Sequence, residues 1–310
     1  MDSLTTQTPP PLHIFGRKLV ALPGTTSTND VAKDLAAQGA PEGTVVVADE
    51  QTAGRGRLGR RWLAPPGTCL LCSILFRPAL APIQAQRLTM LCALAAADAV
   101  QESTGLQVWL KWPNDLVVKS QIANGKSANQ QIGKSPSSIL HPPFSILHSP
   151  SSILHPPSWN KLGGILTETG IIGERLEFVV VGIGVNVNVE PDMLPSLAPD
   201  ATSVLAEVGR SVDRVALLAA LLAGVERRYA ALQAGENPHP EWAARLMTLG
   251  HMVEVITSVG AGLAPAQIET GLAPARGVAE SVDEDGALLL RMPDGGLQRF
   301  LAGDVTLAHR

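Results

Sequence analysis

The sequence predicts an α+β protein: a mixed β-sheet with helices packed against it, followed by a small C-terminal β-barrel. Three observations lead there. Of the 310 residues, 45% are hydrophobic and 17% charged, enough for a sizeable core and too apolar for global disorder. Short β-branched runs and Ala/Leu-rich stretches of helical spacing follow one another to residue 248. From His251 onward, short strands separated by turn signals take over, the pattern of a separate small barrel.

In chain order, residues 1–13 carry Pro9, Pro10 and Pro11 and read as a flexible tail. Ser27 to Ala37 reads as a helix: Ser27 and Asp30 have capping-box spacing, and Val31, Ala32 and Leu35 form one apolar stripe. Thr44 to Ala48 is a β-branched run and predicts a buried strand; the loop Gly54 to Arg61 follows, then a strand at Cys69 to Phe76. Arg87 to Val100 is helical, and Val108 to Lys111 with Leu116 to Val118 predicts a strand pair around Pro113. Leu176 to Val189, a valine run that passes into alternation, predicts a strand. Val215 to Leu232 predicts a strong helix, with Val215, Leu218, Leu222, Val225 and Tyr229 at helical spacing. The C-terminal strands are Val253 to Thr257, Val278 to Val282, Ala287 to Arg291 and Leu297 to Ala302, with turns at Asp283 to Gly286 and Asp294 to Gly296.

Two stretches interrupt the pattern. Residues 120–159 hold no Asp or Glu and repeat Ser-Ile-Leu-His at Ser138, Ser145 and Ser152. The period is seven, but prolines in every unit exclude a coiled coil, so the segment reads as a low-complexity insertion. Its removal, residues 121–157, is expected to preserve activity. The recurrence of His141, His148 and His155 is explained by the repeat rather than by a metal site. A second insertion spans 260–275, where Gly-Leu-Ala-Pro-Ala occurs twice.

The composition narrows the function. A net charge of −4 argues against a dedicated nucleic-acid binder, though a local basic patch is compatible with it. Three cysteines in a chain this long form no disulfide framework and suit a reducing compartment. The pair Cys69 and Cys72 lies in an apolar strand with its thiols on opposite faces, so core packing is expected rather than zinc or redox chemistry. No signal peptide and no apolar run of about 18 residues are present, which predicts a cytoplasmic protein without a membrane span.

Four motifs carry chemistry. In Gly54 to Trp62, three glycines permit close backbone approach, and Arg55, Arg57, Arg60 and Arg61 suit a phosphate or carboxylate. A solvated basic turn or a nucleic-acid loop is the alternative, and no Walker pattern follows. In Lys111-Trp112-Pro113-Asn114-Asp115, the proline fixes a bend that presents Asn114 and Asp115 at a strand end. Lys161 to Glu168 reads as a strand whose glycines leave room for a flat ligand or another backbone. In Gly182 to Asn188, asparagines in a buried strand imply specific partners for their amides. Of Trp109 and Trp112, one is expected in the core and the other beside the site.

Taken together and in order, Ser27-Thr28-Asn29, Gln51 to Arg57, Lys111 to Asp115, Lys161 to Gly164 and Gly182 to Asn186 closely resemble the biotin protein ligases (biotin–[acetyl-CoA-carboxylase] ligases). The resemblance covers residues 14 to 310 apart from the two insertions. It implies a catalytic domain at 14–248 similar to that of class II aminoacyl-tRNA synthetases, and an SH3-like domain at 249–310. It also implies the monofunctional type, without an N-terminal helix-turn-helix. The implied reaction joins biotin to ATP as biotinyl-5′-AMP, with Mg²⁺ assisting, and transfers biotin to a lysine of a biotin carboxyl carrier domain of acetyl-CoA carboxylase or a related carboxylase.

By the same resemblance, Ser27, Thr28, Asn29 and Gln51 surround the biotin ureido ring. Arg55, Arg57 and Lys161 surround the carboxylate and phosphate, and Lys111 adds a cation on the ATP side. Gly54 and Gly164 let the backbone reach the ligand. Trp62, Asn114 and Asn186 belong to the nucleotide side, and Asp115 is a candidate base or orienter. Lys161 is preferred to Lys119 or Lys134 because only it is followed by Leu-Gly-Gly. Monomers and homodimers both fit. Lipoate–protein ligase is the nearest alternative, and a nucleic-acid-binding regulator is the alternative of another class.

Overall fold

The structure, a computed structural model, describes residues 14–119, 159–256, 274–301 and 303–307. The proline tail, the histidine repeat with Lys134, and residues 260–273 of the second insertion lie outside the described residues. In chain order the elements are β1 (Leu19–Leu22), α1 (Thr28–Ala37), β2 (Val45–Ala48), β3 (Cys69–Phe76), α2 (Gln86–Thr104), β4 (Trp109–Lys111) and β5 (Asp115–Lys119). Then come β6 (Trp159–Ile172), β7 (Arg175–Asn186), α3 (Leu194–Leu197), α4 (Val204–Val208), α5 (Arg214–Gln233) and α6 (His239–Ala244). The last are β8 (Met252–Ile256), β9 (Ala275–Val282), β10 (Leu288–Arg291), β11 (Leu297–Phe300) and β12 (Asp304–Leu307).

Seven strands form a sheet in the order β1-β2-β3-β7-β6-β5-β4, with β1 and β2 parallel and every other pair antiparallel. The period of two explains its two faces. Val45 and Val47 of β2, Cys72, Ile74 and Phe76 of β3, and Val179, Val181 and Ile183 of β7 point into one core with residues of α2 and α5. Val46, Leu75 and Val180 point the other way and meet Ala32 and Ala36 of α1. Helix α1 covers only that end of the second face. Farther along, the same strands present Leu71, Gly182, Gly184 and Asn186, which line a cleft, with Ser73 buried and hydrogen-bonded to Thr28 and Asn29.

The helices begin and end for local reasons. Asp213 caps α5, accepting from the backbone N–H of Val215 at 2.8 Å and Ala216 at 3.2 Å. Gly105 closes α2 in the left-handed region at φ 79°. The predicted capping box at Ser27 does not form: Ser27 is the N-cap of α1, but its side chain makes no cap hydrogen bond. Its neighbours Thr28 and Asn29 are buried in contacts across the sheet instead.

The C-terminal strands make a second, antiparallel sheet in the order β11-β10-β9-β8-β12. Val253, Val255, Ala279 and Leu290 join the main core rather than forming a separate one. Trp112 Nε1 donates to the Gly286 carbonyl at 2.9 Å, tying the Pro113 bend to this sheet. The strand β12, absent from the sequence expectations, reaches the cleft. No helix of the described residues is long and apolar enough to cross a membrane.

Two insertion bounds are corrected. Trp159, placed in the first insertion, is the first residue of β6 and stacks edge-on against Trp109 at 6.2 Å. Ala275, placed in the second, opens β9. Strands β5 and β6 stay in register to Lys119↔Trp159, so the first insertion stands where a hairpin turn would serve. Replacing residues 120–158 by Asn-Gly is therefore expected to leave the midpoint of thermal unfolding within about 3 °C of the parent. A larger fall would mean the segment supports the sheet.

Candidate active site

One cleft of about 570 Å³ is lined by all the site residues that the family resemblance implies except Gly54. Its floor is built by strand register. Leu71 of β3, Gly184 of β7, Gly164 of β6, Asp115 of β5 and Lys111 of β4 are successive cross-strand partners, a single row over five strands. Three separate motifs thus converge because their strands are neighbours. The next row is Ser73, Gly182 and Leu166.

In a regular strand, Lys161 and Gly164 would face opposite sides. The pairing of β5 with β6 shifts here: Leu116 opposes Gly163, while Val117 opposes Lys161. Leu162 is the extra residue and is fully buried in the core, so Lys161 joins Gly164 on the cleft side. Its Nζ lies 2.7 Å from Asp115 Oδ1. Asp115 and Lys161 thus form an ion pair between neighbouring strands. Asn114 donates its amide to the Ile165 carbonyl and locks the bend onto β6.

The glycines are explained by what rests on them. A Cβ on Gly182 would stand 2.2 Å from Asn29 Oδ1. A Cβ on Gly184 would stand 2.8 Å from Trp62 Cε2, because the indole lies flat on that strand. A Cβ on Gly164 meets only ordinary contacts, 3.5 Å to Asp115 Oδ1 and 3.7 Å to Trp62 Cζ3. On Gly54 it would strike the Trp62 carbonyl at 2.5 Å, so this glycine is required by closure of the loop itself. Gly184→Ala is expected to cost about 1–3 kcal/mol by lifting Trp62, whereas Gly164→Ala should be within about 0.5 kcal/mol of the parent. Urea unfolding of the two variants checks this; equal stabilities would mean that Trp62 is not seated on Gly184.

The polar end of the cleft is a chain of hydrogen bonds. Gln51 Oε1 accepts from Thr28 N at 2.8 Å and Thr28 Oγ1 at 3.1 Å. Ser73 Oγ lies within donating distance of Thr28 Oγ1 at 2.7 Å and Asn29 Oδ1 at 2.6 Å. Asn29 Nδ2 donates to Glu168 Oε2 at 2.8 Å. At the far end, Asn186 Nδ2 donates to the Thr202 carbonyl at 2.9 Å. Trp62 Nε1 is shielded from solvent and has no partner among the described residues.

The four loop arginines separate. The loop folds back on itself, with Gly56 N donating to the Arg60 carbonyl at 2.7 Å and Trp62 N to the Gly54 carbonyl at 2.9 Å. Its tip, Arg57–Gly59, holds Leu58 at φ 55°. Arg55 pairs with Asp30 and Glu168, each at 2.7 Å, and Lys33 joins them. Burial works against the Lys33 charge, but the hydrogen bonds to Glu168 and Asp30 hold its ammonium above the ordinary lysine range. Arg60 pairs with Asp304 of β12, and Arg61 reaches the Thr52 carbonyl at 3.2 Å. Burial pulls the Arg57 guanidinium below its ordinary range, opposed by the carboxylates of Asp304 and Asp115.

Sequence reasoning missed Ser73, Glu168, Asp200 and Asp304. Glu168 had a signal: counting by twos from Gly164 puts it on the cleft face. Asp304 had none, since its partner is 244 residues away. Trp112 proves to be both of the tryptophans expected, being 1% exposed and lining the cleft, while Trp109 does neither. The three cysteines are free and buried; burial pushes the Cys69 thiol up to about 11 and Cys72 up to about 12, so neither is a nucleophile.

A cleft that joins a hydrogen-bonded polar end to a cationic end, under a glycine–arginine loop, suits a class of protein that brings a small organic acid to a phosphate compound. Residues 21–186 match the Biotin/lipoate A/B protein ligase family. The chain belongs to that family. It is 32% identical to the "Biotin--[acetyl-CoA-carboxylase] ligase" of Paracoccus denitrificans over 278 residues, 87% of this chain and 93% of the relative. It is 30% identical to the "Bifunctional ligase/repressor BirA" of Bacillus subtilis (strain 168), over 95% of this chain and 75% of that protein. Its fold is that of the biotin protein ligase from Aquifex aeolicus, solved in complex with biotin and ATP, at a TM-score of 0.65 and 22% identity, covering 95% of this chain and 100% of that one.

Proposed function

We propose that this protein is an ATP-dependent biotin–[biotin carboxyl-carrier protein] ligase. It forms biotinyl-5′-AMP, releases pyrophosphate, and passes biotin to one lysine of a carrier domain of acetyl-CoA carboxylase or a related carboxylase. The observation that carries this reading is the cleft that Lys161, paired with Asp115, lines together with Arg57 and with Thr28, Asn29 and Gln51 of the polar end.

The first step brings a carboxylate against the α-phosphate. These anions repel, and preorganised cations between them lower the barrier. Lys161 and Arg57 do this in our reading, with Lys111 toward the phosphates. The polar end favours biotin over lipoate. A ureido ring can exchange hydrogen bonds with Thr28, Ser73, Asn29 and Gln51, whereas a dithiolane offers none. Trp62 and Asn186 take the nucleotide side. The arginine loop closes over the mixed anhydride and excludes water.

Among the described residues, no group of three or more His, Cys, Asp and Glu is placed to hold a metal. Magnesium fits here as the ion that ATP brings, and the carboxylates available to it are Asp115, Asp200 and Asp304. Bound with the nucleotide, it neutralises phosphate charge. In the same reading, residues 14–248 are the catalytic domain and 249–310 an SH3-like domain, and the protein works in the cytoplasm.

Pyrophosphate release from ATP, with biotin and with lipoate separately and before any carrier is added, tests the reading. Release with biotin and not lipoate is expected, followed by biotin transfer to an apo carrier domain. Release with lipoate alone would replace biotin by lipoate. No release with either would remove the adenylation chemistry.

A further inference from the structure

We propose that Glu168 is a positioning residue that ties the base of the arginine loop to the polar end of the cleft, with Arg55 as its strut rather than as an anion ligand. The inference rests on the biotin reading for its kinetic consequence and on geometry alone for the clamp. Glu168 sits on β6, on the same face as Gly164, and its carboxylate is fully engaged. Oε2 accepts from Arg55 Nη2 at 2.7 Å and from Asn29 Nδ2 at 2.8 Å; Oε1 accepts from Lys33 Nζ at 2.8 Å. Arg55 Nη2 also donates to Asp30 Oδ1 at 2.7 Å. Two carboxylates and two cations balance, so the Arg55 charge is met without a ligand. Arg57 stands in contrast, deeper in the cleft, with carboxylate fields from Asp115 and Asp304 but no hydrogen bond to either among the described residues.

The clamp acts on the whole loop through its base. Arg55 and Arg61 are bridged as antiparallel neighbours, so fixing Arg55 fixes both the incoming and the outgoing chain. The tip, 57–59, stays free to respond to ligand. From Glu168 the hydrogen bonds run through Asn29, Ser73 and Thr28 to Gln51, which itself leads into the loop three residues before Gly54. The polar network is therefore a ring. A ligand that orders Thr28, Asn29 and Gln51 orders the loop base as well, and loss of Glu168 uncouples the two.

The test compares Glu168→Gln, Arg55→Ala and the double variant. Glu168→Gln keeps the shape and an acceptor for Asn29 but removes the charge that holds Arg55 and Lys33. Without ligand, trypsin cleavage after Arg57, Arg60 or Arg61 is expected to accelerate about tenfold in each variant relative to the parent. The KM for biotin in pyrophosphate release should rise about tenfold with kcat within about twofold, and the double variant should be no worse than the more severe single one. Melting temperatures within a few degrees of the parent would separate this from unfolding, since partly exposed ion pairs contribute little to stability. Unchanged cleavage rates overturn the clamp; effects that add in the double variant overturn the link between Glu168 and Arg55. Should the parent release no pyrophosphate with biotin, the biotin reading fails, while the cleavage comparison still decides on the clamp.

Discussion

Lys161→Ala is expected to lower biotin-dependent pyrophosphate release by on the order of 10³-fold or more while the fold survives. Two effects add. In the proposed biotin reading the cation between two anions is lost, and Asp115, which faced it at 2.7 Å, becomes an uncompensated negative charge in the cleft. The second effect is separable. In Lys161→Ala with Asp115→Asn the repulsion disappears, so part of the lost ATP and biotin affinity should return although the rate does not. The pair is partly exposed, with side chains 29% and 20% accessible, so stability should fall by no more than about 1 kcal/mol. Steady-state assays beside thermal unfolding check both halves. Activity within about tenfold of the parent would remove Lys161 from the chemistry.

The largest stability effect is expected at Asp98. This carboxylate on α2 accepts from Arg228 of α5 and from Arg245 just after α6, and Arg228 and Arg245 also pair with Glu241. The four charges cancel, and Asp98, Arg228 and Arg245 are largely buried. Asp98→Asn leaves two guanidiniums sharing one carboxylate. Breaking such a buried pair costs about 3 kcal/mol, which for a protein of this size lowers the melting temperature by roughly 6–10 °C. The pH dependence has a definite sign. Burial works against the charge, but the hydrogen bonds from Arg228 and Arg245 prevail and hold the Asp98 carboxyl below its ordinary range. Its contribution is thus complete above the unfolded aspartate value, about 3.9, and fades as pH falls through the lower folded value. The gap between parent and Asp98→Asn should be constant at neutral pH and shrink below about pH 4. A gap unchanged down to pH 2 would contradict the assignment.

Much of the fold was legible because local patterns suffice for it. Cys69–Phe76 is apolar apart from Ser73 and emerged with those bounds, and the long helix of α5 differs by one residue at each end. Strand β1 and strand β12 were missed: Leu19–Leu22 and Asp304–Leu307 are four residues each, too short for their periodicity to distinguish them. For the site, the residue types were legible, but their partners were not. Residue type alone grouped Arg55, Arg57, Arg60 and Arg61 as cations of one loop, and the fold sends the four side chains to different surroundings.

What the sequence by itself determined was the inventory: a glycine–arginine loop, a bent Lys-Trp-Pro-Asn-Asp segment, two glycine-bearing strands, and a net charge of −4. Only the tertiary structure decided how these pieces divide the work. The register of β5 on β6 turned Lys161 toward Asp115, and the strand order set Gly184 beside Gly164 as a floor for Trp62. Arg55 went to Glu168 and Arg60 to Asp304 because chain reversal brought together groups 113 and 244 residues apart. The physical reason is the range of the forces. Periodicity and turn chemistry act within a few residues and leave a trace in the sequence, whereas an ion pair needs only proximity in space, which the chain does not spell out until it is folded.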